Sequence, residues 1–429
     1  MGYLIVKGRK RLGGILKIQG SKNSCLPMIA ATLLTDEQII LKNCPDISDV
    51  REMIKILKYL GCSCEFDNNI LVINCQNAIE KQLPEECGNL RASIIYMGAM
   101  LARFGRVIMP YPGGCNLGKR PIDYHINGTR KLGGVVADDG TVLLAAYDSR
   151  REYVKYTFPG KSLGALENLL LLAVASDGVT EFDNCTREPE IVDFCDLLIA
   201  MGADITGAGS NNIVVKGGRK LHGTVYEIPG DRIVAGTYLA AVAVAGGNIK
   251  LTGIKPDRLT KLILYLRKIG CHIFTDFKSN EIIGMSDDRC KSFIPVITGP
   301  YPELATDLQP QLMAVACYCT GISRIQDAIY PNRYGITESL RKMGADILVD
   351  NDCVYVTGRE NLNGASVKAP DLRGGAALII AALGTCQTTY IDGYAYIQRG
   401  YEDIIRDLRS LGADIEWKED AEEDVTNGK

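Results

Sequence analysis

The hydrophobic pattern of the chain recurs at a nearly constant spacing. An amphipathic segment ends in a glycine and is followed by residues that alternate around an Asn, Asp or Gly turn. These glycines are spaced by 68 to 74 residues and are Gly61, Gly133, Gly202, Gly270, Gly344 and Gly412. A glycine directly after a periodic helix supplies the left-handed backbone of a C-cap, and the alternation that follows is typical of a β-hairpin. The pattern therefore predicts six copies of a helix–hairpin unit.

Each copy also contains a second helix, which is apolar on nearly every face. Examples are residues 165–175, 233–246 and 374–384. A helix of this kind must be buried on all sides, and these are too short to span a membrane. Six buried helices and six sets of hairpin strands predict an α/β (α+β) fold, an inside-out α/β barrel with helices inside and sheets outside. The loop 226–232 follows the third copy, which predicts a hinge between two domains of three copies each.

Composition limits the functional classes. The chain has 429 residues, of which 46% are hydrophobic and 23% charged, and these values are typical of a globular protein with two or three domains. A formal charge of −3 argues against nucleic-acid binding, and the absence of a signal sequence or a long apolar run favours a cytoplasmic protein. The 15 cysteines include no CxxC pair, so we expect reduced buried thiols and no metal site.

Charged and polar residues recur just before the predicted helices. They are Lys22, Asn23, Arg91, Arg120, Ser162, Gly164, Arg187, Glu188, Glu190, Asp231, Arg232, Asp307, Arg333, Asp371, Arg373 and Arg399. Helix N-termini favour anions, and a cation there is mildly unfavourable. Recurrent arginine at these positions therefore predicts a strongly anionic ligand held by bidentate guanidinium groups. Asp231 and Arg232 could equally form a structural ion pair beside the hinge. A repeat solenoid without chemistry is the alternative to a site.

The loop 109–125 carries a cysteine in unusual surroundings. Three prolines and three glycines predict a loop, and Lys119 and Arg120 lie close to Cys115 in sequence. Neighbouring positive charge lowers the pKa of a thiol and raises its reactivity. Cys115 is therefore a candidate reactive thiol, whereas His125 is interpreted as a packing or capping residue.

Several long motifs resemble one family from end to end. They are GSKNSCLPMIAATLL, LRASIIYMGAMLARFG, PGGCNLGKRPIDYHI, REPEIVD, YPELATDLQPQ, NRYGITESLRKMGA, DLRGGAALIIA and QRGYEDI. The chain resembles the UDP-N-acetylglucosamine 1-carboxyvinyltransferases, in the superfamily that includes the shikimate-pathway enolpyruvyl transferase. The resemblance implies one domain of residues 1–19 plus 230–429 and another of 20–229, which carries the Cys115 loop. The active site is then expected in the cleft between them.

The resemblance also implies an addition–elimination reaction and a role for each matching residue. The sugar 3-hydroxyl attacks C2 of phosphoenolpyruvate while C3 is protonated, and phosphate then leaves. Lys22, Arg91, Arg120, Arg373 and Arg399 are expected to hold phosphoenolpyruvate, with Arg333 at the edge. Asp307 is expected to act on the sugar hydroxyl and Cys115 to protonate C3 and to react with fosfomycin. The expected nucleotide-sugar contacts are Asn23, Arg120, Pro121, Asp123, Ser162, Leu163, Gly164, Asp307 and Ile329, and Asp371 completes the predicted set.

Further expectations concern partners and departures from the family. The resemblance implies no cofactor, no metal, no nucleic acid and no membrane, a monomeric state and a role in peptidoglycan synthesis. Alternatives are another uridine nucleotide as acceptor, a nucleotide-sugar sensor without activity, and the shikimate acceptor, which the PGGC loop disfavours. Lys161 before Ser162 and Gln398 before Arg399 differ from the family pattern.

Overall fold

The computed structural model describes residues 2–113, 121–147, 152–293, 295–330 and 333–419. The strands are β1 Gly2–Lys7, β2 Leu12–Lys17, β3 Ile39–Lys42, β4 Ser63–Asp67, β5 Ile70–Asn74, β6 Arg106–Pro110, β7 Gly134–Asp138, β8 Val142–Tyr147, β9 Tyr153–Thr157, β10 Val179–Asp183, β11 Asp204–Thr206, β12 Asn212–Lys216, β13 Thr224–Glu227, β14 Gly247–Thr252, β15 His272–Asp276, β16 Glu281–Ser286, β17 Val296–Thr298, β18 Ile322–Asp327, β19 Asp346–Asp350, β20 Cys353–Thr357, β21 Ser366–Lys368, β22 Thr388–Asp392 and β23 Asp414–Glu419.

Helices alternate with these strands along the chain. The α-helices are α1 Lys22–Ala31, α2 Ser48–Tyr59, α3 Ile95–Phe104, α4 Asp123–Lys131, α5 Leu163–Ala175, α6 Pro189–Ala200, α7 Arg232–Ala245, α8 Thr260–Ile269, α9 Gln309–Ala316, α10 Thr337–Lys342, α11 Leu372–Leu383, α12 Tyr394–Ile397 and α13 Ile404–Ser410. Short 3-10 turns precede several of them, including Arg91–Ile94 before α3 and Thr306–Leu308 before α9. The mixed α/β content that the pattern predicts is confirmed.

The chain divides into two compact units. Unit 1 comprises Met1–Ile18, Ile233–Gly299 and Leu304–Lys429, and unit 2 comprises Gln19–Arg232 and Pro300–Glu303. Residues 300–303, which the resemblance assigns with 230–429, therefore group with unit 2. The chain passes from unit 2 to unit 1 at the first residue of α7.

The described strands of unit 2 form three sheets. Their strand orders are β13-β3-β5-β4, β6-β8-β7 and β11-β12-β10-β9. Each sheet contains an antiparallel hairpin that follows one of the predicted glycines, such as β4–β5 after Gly61. The buried face of these sheets joins α1, α3 and α5 in one apolar core of this unit. In α5 every residue from Ala165 to Val174 is buried, including the polar Glu167 and Asn168, as its all-round apolar pattern predicts.

The described strands of unit 1 also form three sheets. Their strand orders are β15-β16-β14-β2, β17-β18-β20-β19 and β21-β22-β1-β23. The last sheet differs from the predicted repeat because only β23 follows Gly412 in the described part of the chain, and its antiparallel partner is β1. The expected sixth hairpin is thus wrong, since the N-terminal strand takes the place of its second arm. The helices α7, α9 and α11 contribute to one core of unit 1.

The predicted C-cap glycines have the expected backbone. All six have positive φ angles, from 88° at Gly344 to 112° at Gly270. L-residues with a Cβ rarely adopt this conformation, so glycine is required where each amphipathic helix ends. Asn68, Asn280 and Asn351, which lie in the predicted turns, also have positive φ angles. The glycine and turn predictions are therefore confirmed.

One buried glycine sets how closely two helices of unit 2 approach. A Cβ added to Gly98 in α3 would lie 2.2 Å from the carbonyl oxygen of Asn168 in α5. The Gly98 amide donates a hydrogen bond to Asn168 Oδ1 at 2.6 Å. The close approach and the hydrogen bond therefore depend on the absence of a side chain at this position.

We expect Gly98→Ala to destabilise the protein by about 1–3 kcal/mol, because overpacking forces the two helices apart. The measurement is the thermal unfolding midpoint of the purified variant. Gly13→Ala is the matched control, because the nearest atom to its Cβ would lie 3.8 Å away. Equal unfolding midpoints for the two variants would contradict the packing argument.

Two of the described cysteines are joined covalently. A disulfide joins Cys62 and Cys75, at the outer ends of the β4–β5 hairpin, so the expectation that the cysteines are reduced is wrong for this pair. The other described cysteines are free, and of these only Cys386 is exposed.

No helix within the described ranges is long and apolar enough to cross a membrane. The same ranges contain no group of three His, Cys, Asp or Glu side chains that could hold a metal ion.

Candidate functional site

A carboxylate between two arginines lies at the start of α9. Arg333 Nη1 donates to Asp307 Oδ1 at 2.9 Å. Arg373 Nε donates to Asp307 Oδ2 at 3.1 Å, and Arg373 Nη2 forms an ion pair with the same oxygen at 3.0 Å. The side chains of Arg333 and Arg373 are only 4% and 3% exposed, whereas that of Asp307 is 28% exposed. Three residues that are far apart in sequence therefore form one charged cluster in unit 1, in which only the aspartate side chain is partly exposed.

The charge state of this cluster follows from its geometry. Burial alone would raise the pKa of Asp307, but the positive charges of Arg373 and Arg333 and their hydrogen bonds hold that pKa far below its ordinary value. Asp307 is therefore ionised at neutral pH. The cluster carries one negative and two positive charges, so it retains a net positive charge that an anionic ligand could neutralise.

The start of α11 positions Arg373. Asp371 is the N-cap of α11, and its Oδ1 accepts hydrogen bonds from the amides of Arg373 and Gly374, both at 2.9 Å. This capping interaction starts the helix that carries Arg373. Arg399 is half-buried, and a Cβ on the next residue, Gly400, would lie 3.5 Å from Arg373 Nη1. The structure thus brings the backbone beside Arg399 close to Arg373.

The predicted anion-binding lysine lies at the start of α1 in unit 2. Lys22 Nζ lies 2.7 Å from Asp49 Oδ2, and both side chains are nearly buried. The Lys22 amide donates to Asp231 Oδ2 at 3.0 Å, and the adjacent Asn23 is half-buried. Two carboxylates therefore fix the backbone and the ammonium group of Lys22. Asp49 could not be recognised from the sequence, because nothing in the segment ISDV distinguishes it from a surface carboxylate.

Arg91 holds both ends of the loop that contains Cys115. Its Nη1 donates to the carbonyl of Pro112 at 3.1 Å, and its Nη2 donates to the carbonyl of Pro121 at 3.1 Å. Cys115 and Arg120 themselves lie outside the described residues. Arg91, predicted to bind an anion, therefore also holds the two backbone positions where this loop begins and ends.

The predicted nucleotide-sugar contacts of unit 2 lie around α4 and α5. Asp123 begins α4, and Ser162 is the N-cap of α5, with its hydroxyl accepting from the amide of Ala165. Leu163 and Gly164 are half-buried, and a Cβ on Gly164 would lie 3.6 Å from the ring of His125. The first turn of α5 therefore packs beside α4, close to the segment that begins at Pro121.

The interpretation of His125 as a packing residue is confirmed. Its side chain is buried, and Nδ1 lies 3.1 Å from Asn168 Nδ2. The oxygen of that amide accepts from Gly98, so its nitrogen donates and His125 Nδ1 accepts. Burial, together with the charge of Arg91, lowers the pKa of His125 to about 3. The imidazole is therefore neutral at physiological pH.

The two charged residues of the predicted hinge take separate partners in unit 2. Arg232 forms a bidentate pair with Glu190, with distances of 2.8 and 3.1 Å. Asp231 instead accepts from the Lys22 amide. Glu188 Oε1 accepts from the amide of Tyr301 at 3.3 Å, and Tyr301 lies in the short segment that groups with this unit. Arg232 therefore pairs with α6.

Two residues outside the predicted set also bear on the site. Lys161 Nζ donates to the carbonyl of Cys185 at 2.9 Å and to Asn211 Oδ1 at 3.1 Å, so this departure from the family pattern has partners within unit 2. Asp327 accepts hydrogen bonds from the hydroxyl of Thr306, which directly precedes Asp307, and from the amide of Ile329. Its sequence context gives no signal of this role, because its partners come from three separate segments.

Known proteins match this chain over nearly its whole length. The family described as EPSP synthase (3-phosphoshikimate 1-carboxyvinyltransferase) matches residues 6–421. UDP-N-acetylglucosamine 1-carboxyvinyltransferase 2 of Caldanaerobacter subterraneus subsp. tengcongensis is 40% identical over 97% of this chain and 99% of its own length. UDP-N-acetylglucosamine 1-carboxyvinyltransferase of Thermotoga maritima is also 40% identical, over 98% of this chain and 99% of its own length. The chain belongs to the UDP-N-acetylglucosamine 1-carboxyvinyltransferase family.

A solved structure extends the likeness to the fold. The crystal structure of the enolpyruvyl transferase NikO from Streptomyces tendae has a TM-score of 0.87, at 23% identity, over 97% of this chain and 99% of that chain. The resemblance to 1-carboxyvinyltransferases that the motifs predict is therefore confirmed over nearly the whole length.

Proposed function

We propose that this chain transfers the enolpyruvyl group of phosphoenolpyruvate to the 3-hydroxyl of UDP-N-acetylglucosamine and releases phosphate. The observation that carries the proposal is the carboxylate of Asp307 held between Arg333 and Arg373. The reaction needs an ionised acceptor for a hydroxyl proton next to cations that hold a substrate with a carboxylate and a phosphate. This cluster supplies both functions, and full-length 40% identity to two UDP-N-acetylglucosamine 1-carboxyvinyltransferases supports the choice of acceptor.

In this proposal, binding of phosphoenolpyruvate raises the basicity of Asp307. In the absence of an anion the two arginines make Asp307 a weak base, since they lower its pKa. A substrate phosphate or carboxylate that pairs with Arg373 or Arg333 takes up part of their positive charge. The basicity of Asp307 then rises only when the substrate is bound. Asp307 is thus suited to orient the sugar hydroxyl first and to accept its proton as the C2–O bond forms.

Other residues complete the proposed site. Lys22, Arg91, Arg120 and Arg399 bind phosphoenolpyruvate, and Cys115 donates the proton to C3. The nucleotide sugar contacts Asn23, Pro121, Asp123, Ser162, Leu163, Gly164 and Ile329. Asp371 orients Arg373 through the cap of α11. That the active site lies in a cleft between domains 1–19 plus 230–429 and 20–229, in an inside-out barrel fold, stays a prediction.

The proposed reaction also defines a cellular role. Its product commits UDP-N-acetylglucosamine to peptidoglycan precursor synthesis, so the enzyme serves cell-wall biogenesis, cell shape and cell division. It acts in the cytoplasm as a monomer, without metal or cofactor. Fosfomycin inhibits it by alkylating Cys115.

Phosphate release tests this function directly. The purified chain is incubated with phosphoenolpyruvate alone, with added UDP-N-acetylglucosamine, with another uridine nucleotide sugar, or with 3-phosphoshikimate. We expect release only with UDP-N-acetylglucosamine. Phosphate release with only one of the other acceptors would overturn the assignment of UDP-N-acetylglucosamine as acceptor. No phosphate release with any acceptor would overturn the proposed reaction.

We expect Arg399→Ala to raise the KM for phosphoenolpyruvate by about 10- to 100-fold, because a hydrogen bond to a charged group contributes about 1.5–3 kcal/mol. The KM for UDP-N-acetylglucosamine should change much less. The matched control is Arg359→Ala, which removes an exposed arginine paired with Asp346 on the surface of the same unit. Equal increases for both substrates would show that Arg399 is assigned to the wrong substrate.

A further inference from the structure

A buried carboxylate at the end of β18 links several parts of the unit 1 site. Asp327 is 0% exposed. Its Oδ1 accepts from the amides of Ile329 and Tyr330, both at 2.9 Å, and from Thr298 Oγ1 at 2.9 Å. Its Oδ2 accepts from Thr306 Oγ1 at 2.6 Å. One side chain therefore connects the end of β17, the turn after β18 and the turn that carries Asp307.

The hydroxyl of Thr306 connects Asp327 to the charged cluster. A threonine hydroxyl has one hydrogen, and here Asp327 receives it. The oxygen lone pairs are then available to Arg333, whose Nη1 donates to Thr306 Oγ1 at 3.0 Å. The same Nη1 donates to Asp307 Oδ1 at 2.9 Å. The orientation of the Thr306 hydroxyl, set by Asp327, thus fixes the guanidinium that holds Asp307.

We infer that Asp327 is a positioning residue for the transfer reaction, acting on Asp307 through Thr306 and Arg333 and on Ile329 through its backbone amide. The inference rests on the proposed function, because it concerns residues of the proposed site. Asp327 is fully buried, so it acts without contacting a substrate. A buried carboxylate is costly to desolvate, and four hydrogen-bond donors converging on it offset that cost.

Asp327→Asn changes the hydrogen bonding of residue 327 and nearly preserves its size. The amide has nearly the same size as the carboxylate, and its oxygen can still accept from the amides of Ile329 and Tyr330. Its nitrogen then faces Thr306 Oγ1 as a second donor beside Arg333, so the hydroxyl can no longer donate to residue 327. We expect kcat to fall by about 10- to 100-fold, because small displacements of a catalytic group cost this much. Both KM values should change less than about threefold.

A double-mutant comparison tests the proposed route through Thr306. Thr306→Val removes the hydroxyl and should lower kcat about as much as Asp327→Asn, whereas Thr306→Ser should retain most of it. If Asp327 acts through this hydroxyl, adding Asp327→Asn to Thr306→Val should lower kcat less than about threefold further. Multiplicative effects of the two substitutions would overturn the inference. Asp407→Asn is the control, because Asp407 is a buried carboxylate of the same unit bound to Tyr238 and Arg406.

The experiment distinguishes this inference from the proposed function. Phosphate release by the unaltered protein is measured first, and the variants are compared with whichever acceptor supports it. An active parent with unchanged kcat in folded Asp327→Asn would overturn the inference alone. If that variant does not fold, Thr306→Val against Thr306→Ser decides, and equal kcat values for these two would overturn it.

Discussion

Asp307→Ala is expected to lower kcat by about 10²- to 10⁴-fold, the usual contribution of a positioned acid or base. The variant loses the proposed acceptor for the sugar hydroxyl proton, while the proposed nucleotide-sugar contacts of unit 2 remain. We therefore expect the dissociation constant for UDP-N-acetylglucosamine to change much less than kcat. Phosphate release gives kcat, and titration calorimetry gives the dissociation constant. An unchanged kcat would exclude Asp307 as the base.

The alanine variant also removes the carboxylate that two buried arginines share. Removing one partner of a buried ion pair costs about 3–5 kcal/mol, so the thermal unfolding midpoint should fall. Asp307→Asn is the matched control, since it keeps the size of the side chain and one oxygen acceptor for Arg333 or Arg373. If both variants lose kcat but Asp307→Asn loses less stability than Asp307→Ala, the chemical role of Asp307 is separated from its structural role.

Cys115→Ala is expected to abolish covalent inactivation by fosfomycin. In the proposed reaction the thiolate of Cys115 attacks an epoxide carbon, a C–S bond forms and the epoxide C–O bond opens. Only a thiol with a low pKa reacts readily, and burial raises the pKa of structural thiols such as Cys64 and Cys87 to about 11. Intact mass spectrometry should show one adduct on the unaltered protein and none on Cys115→Ala.

Measurement of kcat tests the proposed role of Cys115 as proton donor separately from its reaction with fosfomycin. Cys115→Ala should also lower kcat at neutral pH, because the proposed proton donor to C3 is gone, whereas Cys115→Asp should retain turnover and resist fosfomycin. Cys386→Ala is the control, since Cys386 is the exposed free cysteine among the described residues. An adduct that persists on Cys115→Ala but disappears from Cys386→Ala would remove Cys115 from its assigned role.

Much of the architecture could be predicted because it depends on local rules. The glycines after the amphipathic helices are specified by backbone geometry at single positions, and all six have the predicted positive φ angles. The buried helices are specified by composition alone. The sixth hairpin was predicted wrongly because the partner of β23 comes from the opposite end of the chain. Pairing of distant strands is a tertiary property that a repeat pattern does not contain.

Some residues of the candidate site could likewise be predicted from the sequence, and others could not. Asp307, Arg333 and Arg373 could be proposed from their positions before helices and from the resemblance, yet their mutual contacts depend on the folded unit. Asp49 and Asp327 were missed because their importance comes only from their partners. An aspartate that binds Lys22 or Thr306 has the same local sequence features as one on the surface. Structure was needed to distinguish them.

The position of β1 has a consequence for biosynthesis. This strand is synthesised before the other described strands, but it pairs with β22 and β23, which are synthesised after all of them. At about 5–20 residues per second, its partners follow about 20–80 s later. Leu4 and Val6, both fully buried in the finished protein, remain without their sheet partners during this time.

Nearly all of unit 2, by contrast, is one continuous segment that is complete at Arg232. It can therefore fold while the remaining residues are still being translated. Unit 1 can complete its sheets only after β23 has been synthesised, so chaperones that bind exposed apolar strands should act mainly on nascent unit 1.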